Sequence, residues 1–257
     1  MRIDVKSMAQ KVKEDVKNNC YSNRSLLIIQ VDDDAASNAY IKGKIADCAE
    51  IGFDCTLYKV SGPHKSHSIK KILSTVNYSG IILQEPCGLK DSDKKEILDM
   101  IYPSQDVDGF KKDSKHTPCT PAGIMHIIAE VIGKGGLRGK VVAVVGRGEL
   151  VGKPLVPMLI EEGATVISCN SKTPDLGQMT RMADIVIGAT GVPGLITRDM
   201  LKDGAIVIDA GISFVDGKLH GDCDKALYDD ENVWVTTVPG GVGLMTRAML
   251  MKNISEA

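Results

Sequence analysis

The chain has 257 residues, of which 43% are hydrophobic and 25% charged, enough for two domains with separate cores. A formal net charge of −2 supplies no bulk attraction to nucleic acid or to a membrane surface, and no apolar stretch approaches the length that spans a bilayer. The seven cysteines are an odd number without a Cys-x-x-Cys pair, and the five histidines fall in no metal-ligand spacing, so reduced thiols in a cytoplasmic protein and no metal site are expected.

The opening Met1-Arg-Ile-Asp-Val-Lys has neither an apolar run nor a cleavage pattern, and no signal peptide is expected. Asp4 caps a predicted helix with Val5, Met8, Val12 and Val16 on one face. A buried strand over 26–31 leads to a helix with Ile41, Ile45 and Cys48 inward. Strands follow at 55–60 and 80–84, and helices at Ile69 to Val76 and over 91–101. Thr120-Pro121 reads as an N-cap followed by a first-turn proline. Beyond the glycines at 133, 135 and 136, strands are predicted at 141–145, 165–169, 185–189, 205–209 and 233–238, with a last helix over 245–253. Short connections and helical crossovers imply an α/β protein with mostly parallel sheets. Two domains are expected: 1–120, completed by a C-terminal helix within 240–257, and 121–239.

Chemistry concentrates at Lys140 to Pro154. Five apolar residues of a buried strand run into Gly146-x-Gly148-x-x-x-Gly152, a tight turn opening a helix. A bare backbone there lets a diphosphate sit against amide hydrogens at a helix start, so a dinucleotide is the first ligand to consider. The bland alternative is a βα turn with no ligand. An acidic residue after the next strand would grip a ribose 2′-hydroxyl, but the chain has Cys169-Asn-Ser171-Lys172-Thr173. Hydroxyl and cation there, with Arg147 in the turn, favour the 2′-phosphate of NADP over NAD.

A second constellation precedes it. Tyr40 and Lys44 lie four apart on one helix and point the same way. Gln84 stands at the carboxyl end of a strand, where ligands gather in open α/β sheets. Asp106-Val-Asp108 is a turn, and Pro239-Gly240-Gly241-Val-Gly243 is a second glycine loop that a bulky ligand can approach closely. Taken singly, each reads as safely as a surface lysine, a strand-end amide, a turn aspartate or a plain connection.

Together these segments resemble the bifunctional methylenetetrahydrofolate dehydrogenase/methenyltetrahydrofolate cyclohydrolase family. The resemblance rests on Ser37-Asn-Ala-Tyr40-Ile-Lys-Gly-Lys44, Gly80-Ile-Ile-Leu-Gln84-x-Pro86, Asp106-Val-Asp-Gly-Phe110, Pro118-Cys-Thr-Pro-Ala-Gly123, Val145-Gly-Arg-Gly, Val207-Ile-Asp-Ala-Gly-Ile212 and Val238-Pro-Gly-Gly-Val-Gly243. It runs in order over almost the whole chain. It implies an N-terminal α/β domain and a Rossmann-like dinucleotide domain with a cleft between them. The implied activity is oxidation of 5,10-methylenetetrahydrofolate with NADP, then hydrolysis of the methenyl product to 10-formyltetrahydrofolate, a step in one-carbon metabolism. Implied roles are Lys44 as the catalytic lysine, Gln84 as its partner, Asp108 as the pterin anchor and Tyr40 as a stacking ring. Pro239, Gly240 and Gly241 border the folate, while Gly146, Arg147, Gly148, Ser171 and Ile212 contact NADP. A lysine suits hydration of a methenyl carbon if burial and a cationic substrate lower its pKa, because the step needs a group that takes and returns a proton. A homodimer without nucleic-acid or membrane partners is implied as well. The sequence departs from the family pattern at Gly148, usually serine, at Asp32, usually glycine, and at Leu244, usually proline. Alternatives are retention of a single activity, a degenerate folate or nucleotide binder, and a shikimate-type dehydrogenase; the last needs no Tyr40, Lys44, Gln84 and Asp108 set.

Overall fold

The computed structural model describes residues 1–20 and 23–257. The chain divides into two compact units: residues 11–119 with 247–257, and residues 1–10 with 120–246.

The first unit is built on a parallel three-stranded sheet in the order β2-β1-β3, with β1 Ser25–Val31, β2 Asp54–Val60 and β3 Gly80–Leu83. The central strand is apolar almost throughout because both faces are covered, as parallel sheets require. Leu27, Ile29, Val31, Val60, Ile69, Ile81, Leu83 and Ile97 form one core. Helix α1 (Val5–Asn19) runs ahead of β1. Helix α2 (Ala35–Ile51) links β1 to β2, α3 (Lys65–Leu73) links β2 to β3, and α4 (Asp91–Met100) follows β3. Helix α2 begins where the Asp34 carboxylate accepts the Ser37 N–H at 2.7 Å, and ends at Gly52, whose φ of 95° is left-handed.

The second unit carries a parallel five-stranded sheet in the order β10-β7-β6-β4-β5: β4 Val141–Val145, β5 Thr165–Cys169, β6 Ile185–Gly188, β7 Ile206–Asp209 and β10 Trp234–Val235. Helix α5 (Cys119–Ile132) precedes β4, α6 (Gly152–Glu161) joins β4 to β5, and α7 (Leu176–Arg181) joins β5 to β6. The chain leaves β4 on one side for β5 and returns to its other side for β6. That reversal opens a crevice beyond the strand ends, where dinucleotides bind in such sheets. Val145 pairs with both Cys169 and Gly188, and Gly188 pairs with Asp209, so four strands end in one row.

Several expected boundaries move for identifiable reasons. Helix α5 starts one residue early, at Cys119, so Thr120 is no cap; its hydroxyl oxygen instead accepts from Thr246 Oγ1 at 3.1 Å. The strand expected over 233–238 shrinks to two residues, since Val238 N–H donates to the Tyr228 hydroxyl and Pro239 has no donor. A small antiparallel hairpin, β8 Ser213–Val215 with β9 Lys218–His220, was not expected; its Asp216-Gly217 turn holds both residues at positive φ. The last helix, α8, runs Val242–Glu256, longer than the expected 245–253. The division itself differs from 1–120 with 240–257 against 121–239. Residues 1–10 join the second unit because Ile3 N–H donates to Val235 O and Val235 N–H to Met1 O, both at 2.9 Å, adding a parallel bridge beside β10. The return crossing falls at 246/247, inside α8 and not at Pro239. Among the described residues, no helix is long and apolar enough to cross a membrane, and no group of three His, Cys, Asp or Glu is placed to hold a metal ion.

Candidate active site

The buried stripe of α2 contains Ile41, Lys44 and Cys48, at helical spacing. Lysine at the middle of an otherwise apolar stripe is uncommon, because an ammonium is costly to bury without partners. Lys44 is only 4% exposed, and its Nζ donates to Gln84 Oε1 at 3.0 Å. It also lies 5.6 Å from the ring centroid of Tyr40, one turn earlier, within cation–π range. Gln84 leaves the end of β3, its N–H bonded to Ile29 O at 2.9 Å. Its Nε2 donates to Glu85 O at 2.7 Å, so the amide oxygen is the end turned to the lysine. One turn beyond Lys44, Asp47 is 5% exposed and lies between Lys13 Nζ at 3.1 Å and Arg247 Nε at 3.0 Å. Gly43 leaves room for that arginine: a Cβ there would fall 1.5 Å from its Nη1.

Asp108 is half-buried in the turn after Val107. Burial raises its carboxyl above the ordinary aspartate value; the Lys44 ammonium opposes this, and the charges of Asp106 and Glu85 reinforce it. Lys44, Gln84 and Asp108 are thus brought together in one unit, with Tyr40 against the lysine. Glu85 itself is ion-paired with Lys94 and accepts the Cys87 N–H at 3.0 Å, so the polar Gln84-Glu-Pro-Cys run is internally satisfied.

In the second unit, Gly146 follows β4 at φ 112° and accepts no side chain: a Cβ would lie 2.2 Å from Ala189 O. At Gly152 a Cβ would lie 2.0 Å from Gly146 O, so the turn and the start of α6 are packed backbone to backbone. No side chain caps α6, which leaves its first amide hydrogens without a side-chain acceptor. Gly148, in contrast, faces open space, so the hydroxymethyl usual in the family has room there. Arg147 reaches across to β5, donating to Ser168 Oγ at 3.0 Å and Ser168 O at 2.5 Å. A cavity of about 340 Å³ is lined by Arg147, Glu149, Gly152, Lys153, Val156 and Ser168. Ser171 and Lys172 are exposed on the next loop, which Asn170 shapes by accepting the Lys172 N–H at 3.0 Å. Glycine cradle, uncapped helix and a guanidinium over the end of β5 fit a 2′-phosphorylated dinucleotide.

The ends of β6 and β7 are knitted by two carboxylates that sequence reasoning missed. Asp222 is fully buried and accepts the Thr190 N–H at 2.6 Å and its hydroxyl at 2.8 Å. Asp209 is also buried and accepts N–H groups from Gly211, Asp222 and Cys223 at 2.9 to 3.1 Å. Burial raises its carboxyl above the ordinary value, the amides of Cys223 and Asp222 oppose the shift, and the charge of Asp222 adds to it. Ile212, 47% exposed, is presented from the turn that Asp209 holds. The only sequence signal for Asp222 was its place between Gly221 and Cys223; Gly211 and Gly221 exist to admit these carboxylates, since a Cβ would lie 1.9 Å from Asp222 and 2.1 Å from Asp209 respectively. The loop at Pro239 is likewise fixed: Thr237 Oγ1 donates to Pro239 O at 3.0 Å, Gly240 has φ 100°, and a Cβ on Gly241 would lie 2.4 Å from Thr237 O.

Fold and sites define a two-domain α/β protein with a dinucleotide cradle in one unit and a buried lysine–amide pair in the other. The sequence pattern described as tetrahydrofolate dehydrogenase/cyclohydrolase, catalytic domain, matches residues 3–108, and that of its NAD(P)-binding domain matches 118–257. A protein of Exiguobacterium sibiricum named bifunctional protein FolD is 41% identical over 275 residues, spanning 99% of this chain and 98% of its own. The crystal structure of a bifunctional FolD methylenetetrahydrofolate dehydrogenase/cyclohydrolase from Campylobacter jejuni matches with a TM-score of 0.90 at 34% identity, over 99% of this chain and 97% of that one. The Trypanosoma brucei enzyme, solved with NADP and an inhibitor, matches with a TM-score of 0.89 at 28% identity, over 100% and 96%. The chain belongs to the tetrahydrofolate dehydrogenase/cyclohydrolase family.

Proposed function

We propose that this protein oxidises 5,10-methylenetetrahydrofolate with NADP and hydrolyses the resulting methenyl cation to 10-formyltetrahydrofolate. The observation that carries the reading is the buried Lys44 Nζ, held 3.0 Å from Gln84 Oε1 beside Tyr40 and within the field of Asp108. NADP, when bound, supplies the hydride acceptor for the first step. Arg147 and Ser171 would recognise its 2′-phosphate, the Gly146–Gly152 turn, with Gly148 facing open space and no side-chain cap on α6, would hold its diphosphate, and Ile212 would line its nicotinamide end. Oxidation asks the protein mainly for alignment and no nucleophile.

Hydration asks for more. Water attacks the methenyl carbon, and Lys44 takes its proton as the new C–O bond forms. The C–N5 bond then breaks as N5 takes that proton back from Lys44, and the hydroxyl proton leaves to solvent as the formyl C=O forms. Gln84 fixes the amine through its oxygen while adding no charge, so the lysine faces the cation with an orienting partner that does not compete as an anion. Asp108 accepts hydrogen bonds from the pterin amino and ring N–H groups, and Tyr40 stacks on the ring. Pro239, Gly240 and Gly241 serve as substrate-binding residues. The same reading makes the protein a cytoplasmic homodimer, in line with thiols such as Cys48, Cys119 and Cys169 held buried and reduced; sedimentation of the purified chain tests the dimer.

Two assays test the activity. Methylenetetrahydrofolate with NADP should yield reduced nicotinamide, and methenyltetrahydrofolate alone should decay faster with the protein than without it. Absence of both, with folate and NADP still bound, defeats the proposal.

A further inference from the structure

Asp108 sits in a turn that has no regular structure to hold it. Something else must fix its carboxylate relative to Lys44, and the hydrogen bonds around it identify that element. Asn253, near the end of α8 and 7% exposed, uses both hydrogens of its amide: Nδ2 donates to Val107 O at 2.8 Å and to Thr117 O at 3.0 Å. Cys119 Sγ donates to the same Val107 oxygen at 3.2 Å and lies 3.5 Å from Asn253 Nδ2. The Cys119 N–H reaches Asp108 O at 3.4 Å. Gly109 makes the fold-back feasible: its φ is 76°, and a Cβ there would lie 2.6 Å from Pro118 N. The chain on both sides of Asp108 is therefore clasped by one side chain more than a hundred residues away.

We infer that Asn253 is a positioning residue for the folate site, acting through the Val107 and Thr117 carbonyls to hold Asp108 where the pterin edge binds. The inference rests on the reading of Asp108 as the pterin anchor. A side-chain amide is suited to the task, because two donors on one nitrogen bridge two carbonyls without charge. A displacement on the order of 1 Å at a binding group is enough to cost about a hundredfold in function.

The test is a double-mutant cycle on the KM for methylenetetrahydrofolate in the full-length protein. Asn253→Ala should raise that KM about tenfold or more while leaving the KM for NADP unchanged, and Asp108→Asn should raise it at least as far. The double variant should be no worse than Asp108→Asn alone, because Asn253 acts only through Asp108. A lowered melting temperature with an unchanged folate KM, or fully additive effects, would overturn the inference while the Asp108 reading stands. An unchanged folate KM in Asp108→Asn would remove that reading itself. Should Asn253→Ala not fold, Asn253→Ser replaces it: a hydroxyl has one donor where the amide has two, so both carbonyls can no longer be held and the folate KM should still rise. An unchanged folate KM in folded Asn253→Ser overturns the inference equally.

Discussion

Asp108, the proposed pterin anchor, is a carboxyl in a place that disfavours anions. Because its folded-state carboxyl is raised above the unfolded value, the native state holds its proton to higher pH than the unfolded chain does. The sign follows: ionised Asp108 costs stability at neutral pH, and this cost is relieved as pH falls through the raised value. Asp108→Asn should therefore raise the melting temperature at neutral pH, with a smaller gain at acid pH, while weakening folate binding by about 10- to 100-fold as a charged hydrogen-bond acceptor is lost. Thermal melts over a pH series beside folate titrations check both; a variant that is less stable at neutral pH contradicts the burial argument. Lys44, Gln84 and Asp108, to which the chemistry is assigned by proposal, stand in motifs of fixed spacing and so could be picked out of the sequence. The clasp on the Asp108 turn and the tie between the ends of β6 and β7 could not: Asn253 reaches Val107 O across 146 residues and Asp222 reaches Thr190 N–H across 32, and no local pattern records such contacts with backbone atoms.

At the level of elements, the β4–α6 turn separates two glycines that look alike in sequence. Gly146→Ala places a Cβ 2.2 Å from Ala189 O at φ 112° and should cost about 1–3 kcal/mol or more in stability, with NADP binding lost. Gly148→Ser meets open space and should change stability by less than about 0.5 kcal/mol. Denaturant titration of the pair checks the contrast. Arg147→Ala should raise the KM for NADP by about tenfold or more and leave that for NAD nearly unchanged, since a charge-assisted contact to the 2′-phosphate is removed; equal losses for both cofactors would place Arg147 elsewhere. Strands β4 and β5 match their expected bounds because the Val-Val-Ala-Val-Val run ends at Gly146 and the β-branched Thr165-Val-Ile segment runs to Cys169 before Asn170. Strand β10 was expected but is shorter than 233–238, because Val238 N–H goes to the Tyr228 hydroxyl, and the β8–β9 hairpin escaped because its pairing is set by the Asp216-Gly217 turn and not by a periodic apolar run.

Over the whole molecule, two cores divide the labour. One contains Leu27, Ile29, Ile69 and Ile97, the other Ala143, Val186, Val207 and Val235. NADP at a hundred times its Kd stabilises the state that binds it by about 2.7 kcal/mol. Hydrogen exchange should show that protection first in β4, β5 and the start of α6, and protection by a folate analogue in α2, the end of β3 and the Asp108 turn; reversed patterns would exchange the assigned roles. The alternation of strand and helix made both α/β units legible in advance. The contacts that group the chain's first ten residues with the second unit could not be seen in the sequence, because their pairing with Val235 depends on a strand more than two hundred residues away. The central claim, that Lys44 serves hydration and not hydride transfer, is tested most directly by the ratio of the two activities in Lys44→Met at saturating folate. Methenyl decay should fall by about 10²–10⁴-fold relative to reduction of NADP; a ratio unchanged from the parent protein, with folate still bound, would contradict the account.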